Sequence, residues 1–313
     1  MINQIQRVSV IGLGAIGAAY ASRLYDYDPS CIRVIADEAR IQRYQNHDVV
    51  VNGRSYRFQY VSPEAETQPA DLIIVAVKYD GLPQAIQQMR GHVGPETLIL
   101  PLLNGISSED IIAEVYGRDR VLHAMCVAID AVRDGRTVTF SNIGRICFGD
   151  AQSSPLPEGA PLPNAVERVR DLFERAHIPY EIPADIRRSM WWKFMINVGI
   201  NQTSAVLRAP YGVFQSVPEA HHVMVSAMQE VIELSQHVGV HLNDRDLAEF
   251  DEILHAMSPE GKTSMLQDVE AGRKTEVEYL AGTVCELGSK YGVATPVNRM
   301  LYDMIRTLEQ TSG

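Results

Sequence analysis

Two groups of residues in this chain have the types and spacing to do chemistry. The first is Gly12-Leu13-Gly14-Ala15-Ile16-Gly17, a G-x-G-x-x-G run between an apolar strand, Arg7 to Ile11, and a small-residue helix. Each glycine has a mechanical job there: Gly12 makes the tight turn, Gly14 lets backbone approach a pyrophosphate, and Gly17 lets helix and strand pack closely. The helix that follows points unpaired N–H groups and the positive end of its dipole at the phosphates. Asp37 closes a second strand, Cys31 to Ala36, 20 residues after Gly17. These features predict a dinucleotide site rather than a bland strand–helix turn.

The second group lies in the C-terminal half. Lys193, Asn197 and Asn201 are spaced i, i+4, i+8 in a helical segment expected to run from Asp185 to Leu207. Apolar residues, Trp191, Trp192, Phe194, Met195, Ile196, Val198 and Ile200, surround that polar stripe on most sides. Polar groups in such a setting need partners, and a buried ammonium is costly unless something negative or polar meets it. On spacing alone the stripe is equally an exposed face, or a lysine paired with a structural carboxylate. Downstream, Thr275 and Glu278 have capping-box spacing, which places Glu276 in the first turn of a helix where the dipole stabilises a carboxylate. Lys78 after Val77, and Asn104-Gly105 after Leu103, stand at the carboxyl ends of strands, where α/β folds place ligands.

The elements that must position these groups follow from composition and pattern. At 313 residues with 46% hydrophobic content the chain is long enough for two cores. A net charge of −11 argues against nucleic-acid or anionic-membrane binding, so a few placed cations and backbone donors must hold any anion. Cys31, Cys126, Cys147 and Cys285 lie in apolar stretches without C-x-x-C spacing, as reduced core residues of a cytoplasmic protein do. The sequence shows no signal peptide and no apolar run long enough to span a membrane. Asn52-Gly53 predicts a type I′ hairpin, Leu72–Val77 and Thr97–Leu103 predict buried strands, with Pro101 at a strand end or edge, and Asp134-Gly135 predicts a second hairpin turn. Asn164 is expected to cap an amphipathic helix, Ala165 to Ala176. Beyond Pro183 only helical segments follow, including Pro218–Val238, Arg245–Ala256, Thr275–Tyr291 and Pro296–Leu308. The pattern gives an α/β Rossmann-type N-terminal domain over 1–183 and an all-α C-terminal domain over 184–313.

Taken together, these residues resemble the ketopantoate reductase (2-dehydropantoate 2-reductase) family over nearly the whole chain. The likeness rests on Gly12–Gly17, Lys78, Asn104-Gly105, the A-x-R-D-G turn at Ala131–Gly135 and the K-x-x-x-N-x-x-x-N helix. Ser264-Met-Leu-Gln-Asp268 followed eight residues later by Glu276 is its most specific piece. The resemblance implies a helical domain of the 6-phosphogluconate dehydrogenase C-terminal type and reduction of ketopantoate, or a close branched 2-oxo acid, with NADP. Lys193 would be the general acid at the 2-keto group, with hydride arriving from the nicotinamide on the opposite side of that carbon. Asn197, Asn201 and Ser264 would orient the substrate. Glu276 would contact substrate or cofactor and bias the lysine's charge. Lys78 and Asn104 would line the cofactor side, with Ala131 touching the cofactor through its backbone. Family members are often dimers, which implies a homodimer here.

Two departures bear on specificity. Tyr211-Gly212 stands where the family commonly has a further substrate-contacting Asn. Asp37 replaces an Arg that grips the adenosine 2′-phosphate; an acidic residue there favours the free diol of NAD, unless Arg40 or Arg43 supplies the cation. Two rival readings are a β-hydroxyacid dehydrogenase or imine-reductase relative, and a non-catalytic NAD(P)-binding redox sensor. Arg188-Ser-Met-Trp-Trp192 stands where the first of these carries a Gly-rich turn, and the Lys193/Glu276 pair argues against the second. No metal is expected, because Gly239 separates His237 from His241 and no carboxylate completes a site.

Overall fold

Val8–Ile11 is buried along its whole length, the mark of a strand with neighbours on both edges and cover on both faces. In the computed structural model, which describes residues 4–311, this strand is the centre of a five-stranded parallel sheet. The order is Gln59–Val61, Ile32–Ile35, Val8–Ile11, Ala70–Val75, Val93–Pro101. The chain order reverses beside Val8–Ile11, and ligands of open α/β sheets sit outside the carboxyl ends of the strands at such a switch point. Pro101 is the last residue of the edge strand, where its missing N–H removes no ladder bond.

The hairpin forms as its turn residues require. Asn52 and Gly53 take φ of 47° and 81°, between Val49–Val51 and Arg54–Tyr56. Both strands belong to a four-stranded sheet with Val132–Asp134 and Thr137–Thr139, while His123–Val127, Arg145–Gly149 and Tyr180–Glu181 form a three-stranded one. The helix Asn164–Arg175 lays Val166, Val169, Leu172 and Phe173 into the same core. Asn164 does not cap it: Asn164 is the first helical residue, and Pro163, whose ring fixes φ at −55°, takes the cap position without a side-chain bond.

The chain divides between Ile186 and Arg187. In the second unit the described residues form helices and no strand. The helix expected over Asp185–Leu207 is not continuous. It runs α-helically over Ile186–Ile196, widens into a π turn over Asn197–Asn201, and resumes over Gln202–Leu207. Gly199 lies so close to Met228 that an added Cβ would fall 2.4 Å from its Cε and 3.1 Å from the Met224 carbonyl oxygen. The turn is thus pressed directly onto the Pro218–His237 helix.

The capping box at Thr275 is also absent. The Thr275 amide and hydroxyl both donate to Glu309 Oε1, at 2.8 and 2.7 Å. Glu278 is committed to the Tyr302 hydroxyl at 2.7 Å and to Arg306 at 3.3 Å. With both members engaged by the Pro296–Thr311 helix, Val277–Tyr279 forms only a 3₁₀ turn, and the α-helix starts at Ala281.

The four cysteines are buried free thiols. Among the described residues no helix is long and apolar enough to cross a membrane, and no group of three or more His, Cys, Asp or Glu is placed to hold a metal ion.

The glycine turn gives the first expected outcome. A Cβ on Gly17 would fall 1.9 Å from the Gly12 carbonyl oxygen, and that oxygen is backbone and cannot step aside. Gly17→Ala should destabilise the protein by roughly 1–3 kcal/mol, the usual range for forced overpacking. Thermal melts monitored by circular dichroism check this; an unchanged Tm would mean that the turn relaxes freely.

Candidate active site

The cofactor-side cleft is built from the switch point outward. Gly12, at φ 98°, turns the chain so tightly that any Cβ would lie 2.6 Å from the Ala76 carbonyl oxygen. Gly14 caps the helix Ala15–Tyr27 with no side-chain bond, and the first intrahelical bond runs from the Ala18 amide to the Gly14 carbonyl at 3.0 Å. The amides of Ala15, Ile16 and Gly17 precede that bond and carry the helix's positive end. A Cβ on Gly14 would meet nothing closer than 3.8 Å, so this side of the turn is open.

The cleft holds about 280 Å³ and is lined by Gly12, Leu13, Gly14, Arg40, Tyr44, Lys78 and Arg133, among others. Asp37 reaches it only through Arg40. Its carboxylate caps the helix Glu38–Asn46 by accepting the Arg40 amide at 2.9 Å, and pairs with the Arg40 guanidinium at 3.1 Å. Arg40 lines the cleft, whereas Arg43 is exposed and is not among its lining residues. Tyr44 presents a ring stacked on Tyr60 with centroids 5.3 Å apart. Asn104 and Ala131 are half-buried and do not line this cleft. Asn104 precedes Gly105, at φ 96°, in the turn that leads into Ser108–Tyr116. In that helix's first turn Glu109 is fully buried and accepts the Ser108 hydroxyl at 2.9 Å; burial pushes its carboxyl up to about 7.

Arg133 was not among the residues expected to bind. Its guanidinium donates from Nη1 to the Leu13 carbonyl and from Nε to the Gly135 carbonyl at 2.8 Å, which fixes a cation beside the glycine turn. The available signal was the two-residue turn after Asp134: alternation along Val132–Asp134 leaves Arg133 facing opposite to the exposed Val132.

The second unit carries the polar stripe. Lys193, Asn197 and Asn201 are half-buried, while Phe194, Met195, Val198 and Ile200 are buried. An α-helix has 3.6 residues per turn, so two steps of four residues leave Asn201 about 80° from Lys193. A π turn holds about 4.4 residues, so the step from Asn197 to Asn201 falls short of a full turn by about 33° and cancels the first step's overshoot. The widened turn thus returns Asn201 to the bearing of Lys193, a straighter stripe than an unbroken helix would give.

Ser264 is the first residue of the helix Ser264–Glu270, which Thr263 caps by accepting the Leu266 amide at 3.1 Å. This helix packs on the π turn and on Gln202–Leu207. Its ends are held by ion pairs, Lys262 to Glu270 and Arg273 to Asp268, both at 2.7 Å. Tyr211 supports the loop before it: its amide donates to the Gly261 carbonyl at 2.9 Å, and its ring lies where a Gly261 side chain would be. Burial pushes the Tyr211 hydroxyl up from its ordinary value. Glu276 is half-buried at the head of the 3₁₀ turn, packed on the Ala281–Tyr291 and Pro296–Thr311 helices. The structure therefore gathers Lys193, Asn197, Asn201 and the Ser264 helix around one turn, and holds Glu276 from a different pair of helices.

Comparison with known proteins agrees with this architecture. Residues 8–153 match the family described as ketopantoate reductase PanE/ApbA, and residues 185–309 match its C-terminal part. A 2-dehydropantoate 2-reductase of Streptococcus pyogenes serotype M3 is 25% identical over 96% of this chain and 97% of its own. D-mandelate dehydrogenase, solved with NADH and anilino(oxo)acetate, shares the fold at a TM-score of 0.84 and 22% identity, covering 97% of this chain and 99% of that one. Dimeric ketopantoate reductase from Staphylococcus aureus does so at 0.80 and 21% identity, covering 98% of this chain and 100% of that one. With both parts of the family matched in order across nearly its full length, the chain belongs to the ketopantoate reductase family.

Proposed function

We propose that this chain reduces ketopantoate to pantoate with a reduced nicotinamide dinucleotide. The observation that carries the reading is a half-buried Lys193, Asn197 and Asn201 at four-residue spacing along this helix and its π turn, with the Ser264 helix packed on that turn, in a chain of this family. A carbonyl gaining hydride at carbon develops negative charge on oxygen. The Lys193 ammonium donates a hydrogen bond to that oxygen and then delivers its proton, which completes the hydroxyl. Asn197, Asn201 and Ser264 offer amides and a hydroxyl for the substrate's own hydroxyl and carboxylate. Glu276 contacts substrate or cofactor in this reading.

The open side of Gly14 and the orphan amides of Ala15, Ile16 and Gly17 fit a pyrophosphate, with Arg133 and Lys78 supplying charge. Tyr44 offers a flat face for a base. When bound, the dinucleotide supplies the hydride. Asn104 and Ala131 complete the binding set in this reading. NADPH is the favoured cofactor, because Arg40 neutralises Asp37 and itself lines the cleft. NADH is the alternative that the acidic residue supports. We place the working enzyme in the cytoplasm as a homodimer. The bulk of Tyr211 beside the loop to Ser264 favours testing 2-oxo acids with other side chains too, aryl ones included.

Four outcomes test this. Oxidation of NADPH and NADH at 340 nm with a panel of 2-oxo acids should show turnover, with ketopantoate and NADPH best. Binding of cofactor without turnover of any acid would leave the sensor reading. Arg40→Ala should lower kcat/KM with NADPH more than with NADH, and equal losses would remove Arg40 from cofactor choice. Lys193→Ala should lower kcat by roughly 10²–10⁴-fold, the range for a lost general acid, with the Kd for NADPH unchanged; near-normal kcat would mean that the proton comes from elsewhere. Arg133→Ala should raise the Kd for either cofactor and flatten its dependence on salt, since a screened ionic contact is gone. A Kd equal to wild type at low salt would show that Arg133 only braces the turn.

A further inference from the structure

The π turn under Asn197 and Asn201 is held by a buried polar network with no counterpart in the substrate contacts themselves. Gln202 and Asn298 are both fully buried. Gln202 Nε2 donates to the Val198 carbonyl at 2.6 Å and to Asn298 Oδ1 at 3.1 Å, and its Oε1 accepts the Ala281 amide at 3.0 Å. Asn298 Nδ2 donates onward to Glu230 at 2.7 Å. Glu230 in turn accepts the amides of Val297 and Asn298, at 2.8 and 3.0 Å, at the start of the Pro296–Thr311 helix. Beside this chain of bonds, the buried Thr203 hydroxyl donates to the Gly199 carbonyl at 2.7 Å. Two carbonyls of the widened turn are thus taken by side chains four residues on, and one of those side chains, Gln202, is bonded to two other helices and through Asn298 to a third.

Such bonds in a dry core are demanding in both directions. A satisfied network specifies one conformation, and each group left unpaired carries its full desolvation penalty. The conformation specified here is the one that returns Asn201 to the bearing of Lys193. We infer that Gln202 and Thr203 are positioning residues for the substrate: they hold the π turn open and so aim Asn197 and Asn201. This rests on the proposed role of those asparagines.

The test compares Gln202→Met, Thr203→Val and Thr203→Ser with wild type. Methionine and valine keep the volume and lose the hydrogen bonds, while serine keeps the hydroxyl. Gln202→Met and Thr203→Val should raise KM for the accepted 2-oxo acid at least tenfold, with a smaller change in kcat and less than a twofold change in Kd for NADPH. Thr203→Ser should match wild type. The inference is overturned if valine and serine behave alike, if Tm falls while KM stays fixed, or if the Kd for NADPH rises in parallel. Should Gln202→Met not fold, the Thr203 pair decides alone. Should wild type turn over no 2-oxo acid, the functional reading fails separately. The side-chain amide resonances of Asn197 and Asn201 then decide the inference: they must move in Thr203→Val and not in Thr203→Ser.

Discussion

The carbonyl oxygen of Gly12 occupies the space that a side chain on Gly17 would need, with a Cβ there only 1.9 Å away. That single close approach ties the central strand to the first helix and sets where the helix begins. Because the helix begins there, its orphan amides open toward the switch point of the sheet rather than into the core. A chain of net charge −11 has no general attraction for a phosphate. Backbone donors and a few cations, Arg40, Lys78 and Arg133, must supply it at one place. In the proposed reading, binding in the first unit depends on backbone geometry before side-chain charge.

The second unit solves a different problem. A lysine and two asparagines in a helix of tryptophan, phenylalanine and methionine are costly unless they serve something. The helix widens for one turn at Asn197–Asn201, and Gln202 and Thr203 bond the carbonyls of Val198 and Gly199 from behind it. On the inner side of the helix, Gln202 also bonds Asn298 and the Ala281 amide, so the turn is tied to the helices behind it.

Legibility in the sequence followed the range of the interaction that decides each feature. The glycine turn, the Asn52-Gly53 hairpin and the position of Pro101 are settled by residues within a few positions of one another, and each was readable. So was the change from alternating strands to helices near Pro183. Asn164 and Thr275 were misread because local cap preferences compete with tertiary partners. Pro163 already fixes the entry to one helix, and Glu309 claims both donors of Thr275. The π turn was not readable, since the groups that pack on it and bond it, Met228 against Gly199 and Asn298 and Ala281 on Gln202, are distant in sequence. The candidate residues were put forward on type, spacing and family resemblance, and of those on the cofactor side Gly12, Leu13, Gly14, Arg40 and Lys78 line one cleft, whereas Arg133 needed the register of a short hairpin to show its direction.

Hydride transfer to a keto carbon, with Lys193 and its neighbours holding the acid in place, is the central claim. The most direct measurement uses NADPH carrying deuterium at the transferable C4 position, unlabelled ketopantoate, and NMR of the product. The account predicts pantoate with deuterium at C2 in stoichiometric amount, formed as fast as the 340 nm signal falls. Cofactor oxidation without label at C2, or no product at all, would contradict it.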